Sequence, residues 1–199
     1  YSLLFRLKEL LAAWAVFGEG NATLGQDQTQ KQAYEGFVDI LRNLLPDDLG
    51  FNGLRVDAPD IIISTKSGDF LIDSLSGGLT AIIETAALIY TRSLMNDVPD
   101  KRFVVTMDEP ENHLHPAIQR TILSSLVRAF PNVQFIVATH SPFIVTSSRN
   151  CRVYALKYED VVVANEVWLD SAIDPNNDKR SPEQNSRRVL CIFLENGHL

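Results

Sequence analysis

Cysteine is scarce in these 199 residues: Cys151 and Cys191 are the only two, and no spacing motif links them. That excludes a cysteine-spaced metal or redox motif and fits a reducing, cytoplasmic compartment. Long uncharged apolar runs are also missing. Leu79 to Leu94 is shorter than the roughly eighteen residues a membrane span needs, and it contains Glu84 and Arg92. No membrane partner is therefore expected. Charged residues interrupt the first apolar positions, so no secretory leader is read there. Positive charge is in deficit: 18 Lys and Arg against 25 Asp and Glu leave a net charge of −7. A surface of that sign is not a nucleic-acid footprint as a whole, although Lys179-Arg180 and Arg187-Arg188 form a local basic patch. Internal repeats and low-complexity segments are absent.

What the chain does have is apolar content for one core of ordinary domain size, at 45% hydrophobic residues. Ser2 to Phe17 reads as an amphipathic helix with Leu3, Leu4, Leu7, Leu10, Leu11 and Trp14 on one stripe. Gly18 to Gln30 reads as a loop, and Lys31 to Leu45 as a second helix closed by Pro46. Asp60 to Thr65 and Asp69 to Ile72 read as a hairpin turning at Lys66-Ser67-Gly68. A helix to Leu94 follows, then a strand at Asp108, a helix from His115 to Phe130 and a strand before His140. Cys151 to Leu156 and Val161 to Val167 read as a final antiparallel pair, and Ser186 to Leu194 as a closing helix. Asp174 to Asp178 is loop-like.

Two segments carry the chemistry. Phe103-Val-Val-Thr-Met-Asp-Glu-Pro110 and Phe135-Ile-Val-Ala-Thr-His-Ser-Pro142 are apolar runs that end abruptly in polar residues. Such runs read as buried parallel strands, whose carboxyl ends are where open α/β sheets handle ligands. Asp108 and Glu109 then arrive at one strand end, and Thr139, His140 and Ser141 at another. Adjacent carboxylates at a strand tip are costly without a metal or a proton-transfer role. A third segment, Ser74-Leu-Ser-Gly-Gly-Leu79, starts a helix with Ser76 as its cap. Gly77 and Gly78 lack a β-carbon, so a phosphate can approach the free N–H groups there.

Taken in order, these segments resemble the ABC-type ATPases over residues 54 to 150. Leu75-Ser-Gly-Gly78 resembles their signature motif, with Leu79 where transporters usually carry Gln. Val104 to Glu109 resembles Walker B with its catalytic glutamate, Pro110 to Pro116 the D-loop, and Ala138-Thr-His-Ser-Pro142 the switch-histidine loop. The wording Asp-Glu-Pro-Glu-Asn-His-Leu-His-Pro is closer to the SMC-like, RecF-like and OLD-type (AAA-like) ATPases of DNA repair and phage defence than to transporters.

The resemblance implies an α/β lobe with a mostly parallel sheet flanked by helices, plus an antiparallel hairpin and a helical segment. Residues 1–50 would be the helical segment and 51–199 the distal half of the ATPase. ATP and Mg²⁺ are the implied cofactors. Asp108 would contact the metal, Glu109 would polarise the attacking water, and His140 would touch the γ-phosphate. Ser76, Gly77 and Gly78 would act in trans, on ATP held by a second protomer. The implied function is ATP hydrolysis by a head-to-tail dimer that drives or gates a DNA-directed repair or anti-phage activity, with DNA or a nuclease as further candidate partners. The alternative is a nucleotide-sensing scaffold that regulates a nuclease without significant turnover.

One expected part is missing. Gly-x-x-x-x-Gly-Lys-[Ser/Thr], the loop that cradles phosphates, does not occur. Gly20-Asn-Ala-Thr-Leu-Gly25 has the glycine spacing, but Gln26-Asp27 follow it and a helix precedes it. The chain is expected to be the distal part of a longer polypeptide, inactive without that lobe. His113 and His115 have His-x-His spacing, yet Pro116 makes this a loop entering a helix. Glu111 and Asn112 are expected at a subunit contact beside the D-loop.

Overall fold

A computed structural model describes residues 3–20, 25–95, 102–147, 151–156, 165–166 and 189–194. The chain divides into two units, Tyr1–Asp97 and Val98–Leu199.

In the first unit, helix α1 (Leu3–Glu19) buries Leu7, Leu11, Trp14 and Gly18, a spacing that keeps one side of a helix inward. Helix α2 (Gln28–Leu44) answers with Ala33, Phe37, Leu41 and Leu44. It starts three residues earlier than the sequence pattern indicates, because Asp27 caps it by accepting the N–H groups of Thr29 and Gln30 at 2.8 and 3.3 Å. Gly18 lets the two helices approach: a β-carbon there would lie 2.8 Å from the main chain of Lys31. Trp14, Phe37 and Tyr90 form an aromatic cluster with centroids 5.7 to 6.2 Å apart, both Trp14 contacts being edge-on.

Three antiparallel strands follow in the order β1 (Phe51–Asp57), β2 (Asp60–Thr65) and β3 (Gly68–Leu71). The hairpin appears where expected. Strand β1 was not expected, since Asn52, Gly53 and Arg55 hide it and none of its residues is fully buried. Central strand β2 alternates cleanly, burying Ile61, Ile63 and Thr65. A short 3-10 turn, Ile72–Ser74, leads from β3 to helix α3 (Gly77–Leu94). Lys8 on α1 holds that turn through Asp73 at 2.6 Å and also reaches Asp60 at 3.5 Å.

The second unit is a five-stranded sheet ordered β4 (Phe103–Asp108), β5 (Val133–Thr139), β8 (Val189–Leu194), β6 (Cys151–Leu156), β7 (Asn165–Glu166). All pairs are parallel except β6 with β7. Helix α5 (Ile122–Ala129) packs on β5, and α6 (Pro142–Thr146) packs on β8. The α/β architecture with a mostly parallel sheet, an antiparallel hairpin and a helical segment is thus present.

Three local expectations are corrected. Val189 to Leu194 is a strand between β5 and β6, not the end of a helix; Ser186 to Arg188 lie outside the described residues. Val-Leu-Cys-Ile-Phe-Leu is apolar throughout and so has no period, and a strand paired on both sides tolerates that composition. Second, the helix from His115 to Phe130 is two helices, α4 (Pro116–Gln119) and α5, interrupted at Arg120 and Thr121. Thr121 turns its hydroxyl onto the Ile118 carbonyl at 3.2 Å, a local bond that competes with helix propagation. Third, β4 is an end strand among the described residues and alternates rather than being buried throughout; Val104 is 53% exposed. Of the segment Val161 to Val167, Asn165–Glu166 pairs antiparallel with β6, and the remainder lies outside the described residues. The basic patch at 179–188 and the loop at 174–178 lie outside them too, as do residues 21–24 between Gly20 and Gly25.

Candidate active site

The β4–β5 register sets Asp108 opposite Ala138, so the residues after both strands leave the sheet at one edge. Asp108 is exposed at its strand tip. Glu109 continues the ladder by one bond, its N–H donating to the Ala138 carbonyl at 2.9 Å. Its φ is +46°, the left-handed region that a residue with a β-carbon enters at a cost and that clusters at functional sites. The turn then closes, with the Asn112 N–H donating to the Glu109 carbonyl at 3.1 Å and Pro110 at the favoured second position.

This turn brings the expected pair together. Glu109 Oε1 lies 3.4 Å from His140 Nε2, and both side chains are partly exposed. The other oxygen, Oε2, accepts from the Asn112 amide at 2.9 Å. Glu111 also turns toward the histidine: its Oε1 accepts the main-chain N–H of His140 at 2.8 Å. Ser141 Oγ donates to Gln119 Oε1 at 2.6 Å, and Gln119 Nε2 donates to the Leu114 carbonyl at 3.0 Å. The same Ser141 hydroxyl caps α6, accepting from the N–H groups of Phe143 and Ile144. Arg120 lies over the Phe143 ring, 4.7 Å from its centre.

His115 is the N-cap of α4, with Nδ1 accepting the Ala117 N–H at 3.3 Å and Pro116 starting the helix. His113 stands at φ +66° in the connecting turn. Glu109, Asp108 and His140 are legible in the sequence, whereas the contacts that Glu111, Asn112 and Gln119 make inside this unit are not. The Ser141-Pro142 cap was a readable signal. A glutamate reaching forward 29 residues leaves none.

In the first unit, Ser76 caps α3 through the Leu79 N–H at 3.4 Å. Gly77 is exposed, with no atom within 4 Å of where a β-carbon would sit, and Gly78 is buried. The helix start is therefore open at its first residue.

A family model described as "AAA domain, putative AbiEii toxin, Type IV TA system" matches residues 37–146, more than half of the chain. The chain belongs to this AAA-domain family. It is 33% identical over 126 residues to the "Retron Ec83 probable ATPase" of Escherichia coli, a match covering 60% of this chain and 23% of that protein. It is 28% identical over 138 residues to the "Septu protein PtuA" of Bacillus thuringiensis, covering 66% of this chain and 35% of that one. The chain thus spans 23% of the first of these relatives and 35% of the second. In fold it is similar to a solved structure titled "Structural biochemistry of ATP-driven dimerization and DNA stimulated activation of SMC ATPases", with TM-score 0.53 and 19% identity, covering 73% of this chain and 89% of that one. Family and fold bear out the resemblance to ABC-type ATPases of the SMC-like kind. Among the described residues, no helix is long and apolar enough to cross a membrane.

Proposed function

We propose that this chain supplies the catalytic half of a dimeric ATP hydrolase acting in phage defence. The observation that carries the reading is the Glu109–His140 contact at the ends of two adjacent parallel strands, with Asp108 next to it. The retron and Septu relatives support the setting.

The donor set fits Mg²⁺. Asp108 offers one exposed carboxylate, and among the described residues no cluster of three His, Cys, Asp or Glu forms an all-protein cage. Mg²⁺ is held in that manner, by one or two carboxylates beside phosphates and waters. When bound, the ion neutralises charge on the β and γ phosphates. Glu109 holds the attacking water and takes its proton, with Asn112 steadying the carboxylate through Oε2. His140 steadies the γ-phosphate beside that carboxylate. Ser76, Gly77 and Gly78 close over the γ-phosphate held by the second protomer, using the free N–H groups of α3. The phosphate loop comes from outside these residues. A DNA or nuclease partner receives the conformational signal.

Phosphate release by the full-length protein tests this reading. We expect turnover, and a loss on the order of a hundredfold in His140→Ala with nucleotide binding retained. A wild-type protein that binds ATP without releasing phosphate would instead be the nucleotide-sensing scaffold.

A further inference from the structure

The β5–β8 ladder ends at Thr139, paired with Phe193. The next amide along the chain belongs to His140, and the Glu111 carboxylate takes it at 2.8 Å. A carboxylate acceptor makes this bond stronger than one to a neutral group. Glu111 itself sits in the turn that Asn112 closes onto Glu109. The main chain of His140 and its ring are thus both referred to one four-residue turn: the main chain through Glu111, the ring through Glu109. A second tie runs beside the first, from Ser141 through Gln119 to the Leu114 carbonyl. The other Glu111 oxygen, Oε2, is buried and has no hydrogen-bond partner among the described residues. The carboxylate is therefore not spread over several donors, and its one bond goes to the histidine.

We propose that Glu111 is a positioning residue for hydrolysis, fixing His140 against Glu109 by holding the His140 amide after the sheet ladder has ended. Glu111 touches no reacting atom in this scheme, and its effect is exerted entirely through the geometry of the pair. The inference rests on the ATPase reading above. Misplacement of a reacting group by about 1 Å costs on the order of a hundredfold in rate. Loss of the tie therefore lowers kcat and leaves ground-state binding alone.

The test compares full-length wild type, Glu111→Ala and Glu111→Gln by two measurements. Steady-state kinetics with ATP should show kcat in Glu111→Ala reduced by about ten- to a hundredfold, with KM and nucleotide affinity within about twofold. Glu111→Gln, which keeps an acceptor oxygen at the same reach, should recover most of that loss. Amide hydrogen exchange across residues 138–142 should accelerate in Glu111→Ala and return toward wild type in Glu111→Gln. That readout does not depend on turnover. Unchanged exchange, or equal kcat in wild type and Glu111→Ala, overturns the assignment while leaving the ATPase reading intact. A wild-type protein without turnover overturns the ATPase reading, and the positioning role falls with it. A parallel loss of affinity and kcat in both variants would mean a structural role only, and would also overturn it.

Discussion

Glu109 Oε1 and His140 Nε2 lie 3.4 Å apart although 31 positions separate the two residues in sequence. The parallel β4–β5 register accounts for the meeting, because Asp108 and Ala138 are partners and each chain continues past the same edge. Glu109→Gln keeps the size of the side chain and removes the proton acceptor. In the full-length protein, ATP binding should persist while turnover falls by about a hundredfold or more, the scale of losing a general base. Bound ATP should then hold the dimer together on a sizing column. Wild-type rates in this variant would remove Glu109 from the mechanism.

Ser76 tests whether the site is shared between protomers. Ser76→Arg puts a long cation at the exposed start of α3 and should abolish turnover while sparing nucleotide binding on the opposite lobe. Mixed with a variant defective in the phosphate loop, it should regain partial activity, since one composite site is then intact. Mixed dimers of normal assembly that stay inactive argue against a shared site.

These 199 residues alone should bind ATP–Mg²⁺ weakly and release no phosphate. Most polyphosphate affinity comes from the N–H groups and lysine of the phosphate loop, and that motif is absent from the chain. Titration calorimetry and phosphate release on the isolated chain check this. Micromolar binding with turnover would assign the phosphate-binding task to another segment, with Gly20 to Gly25 the first to be mutated.

Gly18→Ala sets two effects against each other. Alanine gains about 1 kcal/mol of helix propensity over glycine. Its β-carbon, however, would meet the Lys31 main chain at 2.8 Å, and overpacking of that kind costs about 1–3 kcal/mol. The contact is with backbone, so it cannot be relieved by a rotamer change, and the clash should win. A lower Tm in thermal unfolding is expected; an unchanged or higher Tm would show that α1 and α2 separate easily.

The strands leading to Asp108 and His140 are readable because an apolar run ending in polar residues has few explanations in an α/β sheet. The capped start of α3 was readable for a local reason, the sequence Ser76-Gly77-Gly78 before an apolar helix. Features decided by distant partners were less visible. Strand β8 reads as part of a helix in the sequence because pairing on both sides removes the alternation that identifies a strand. Strand β1 leaves little sequence signal because its outer residues are polar and its inner ones are only half covered. In the site, the pair Glu109 and His140 was legible, whereas the holding roles of Glu111 and Gln119 were not. A carboxylate that accepts a main-chain amide 29 residues away has no local sequence pattern.

The late arrival of β8 also bears on how the chain is made. Strands β5 and β6 follow one another along the polypeptide, yet they never pair, since β8 lies between them. During synthesis, the ribosome releases both before the strand that joins them exists. The helices and antiparallel strands of the first unit meet partners already at hand and can fold as they emerge. The sheet carrying Glu109 and His140 must instead wait, with two strand edges open, until residues 189–194 have left the exit tunnel. Open strand edges of that kind are what makes a folding intermediate prone to aggregate.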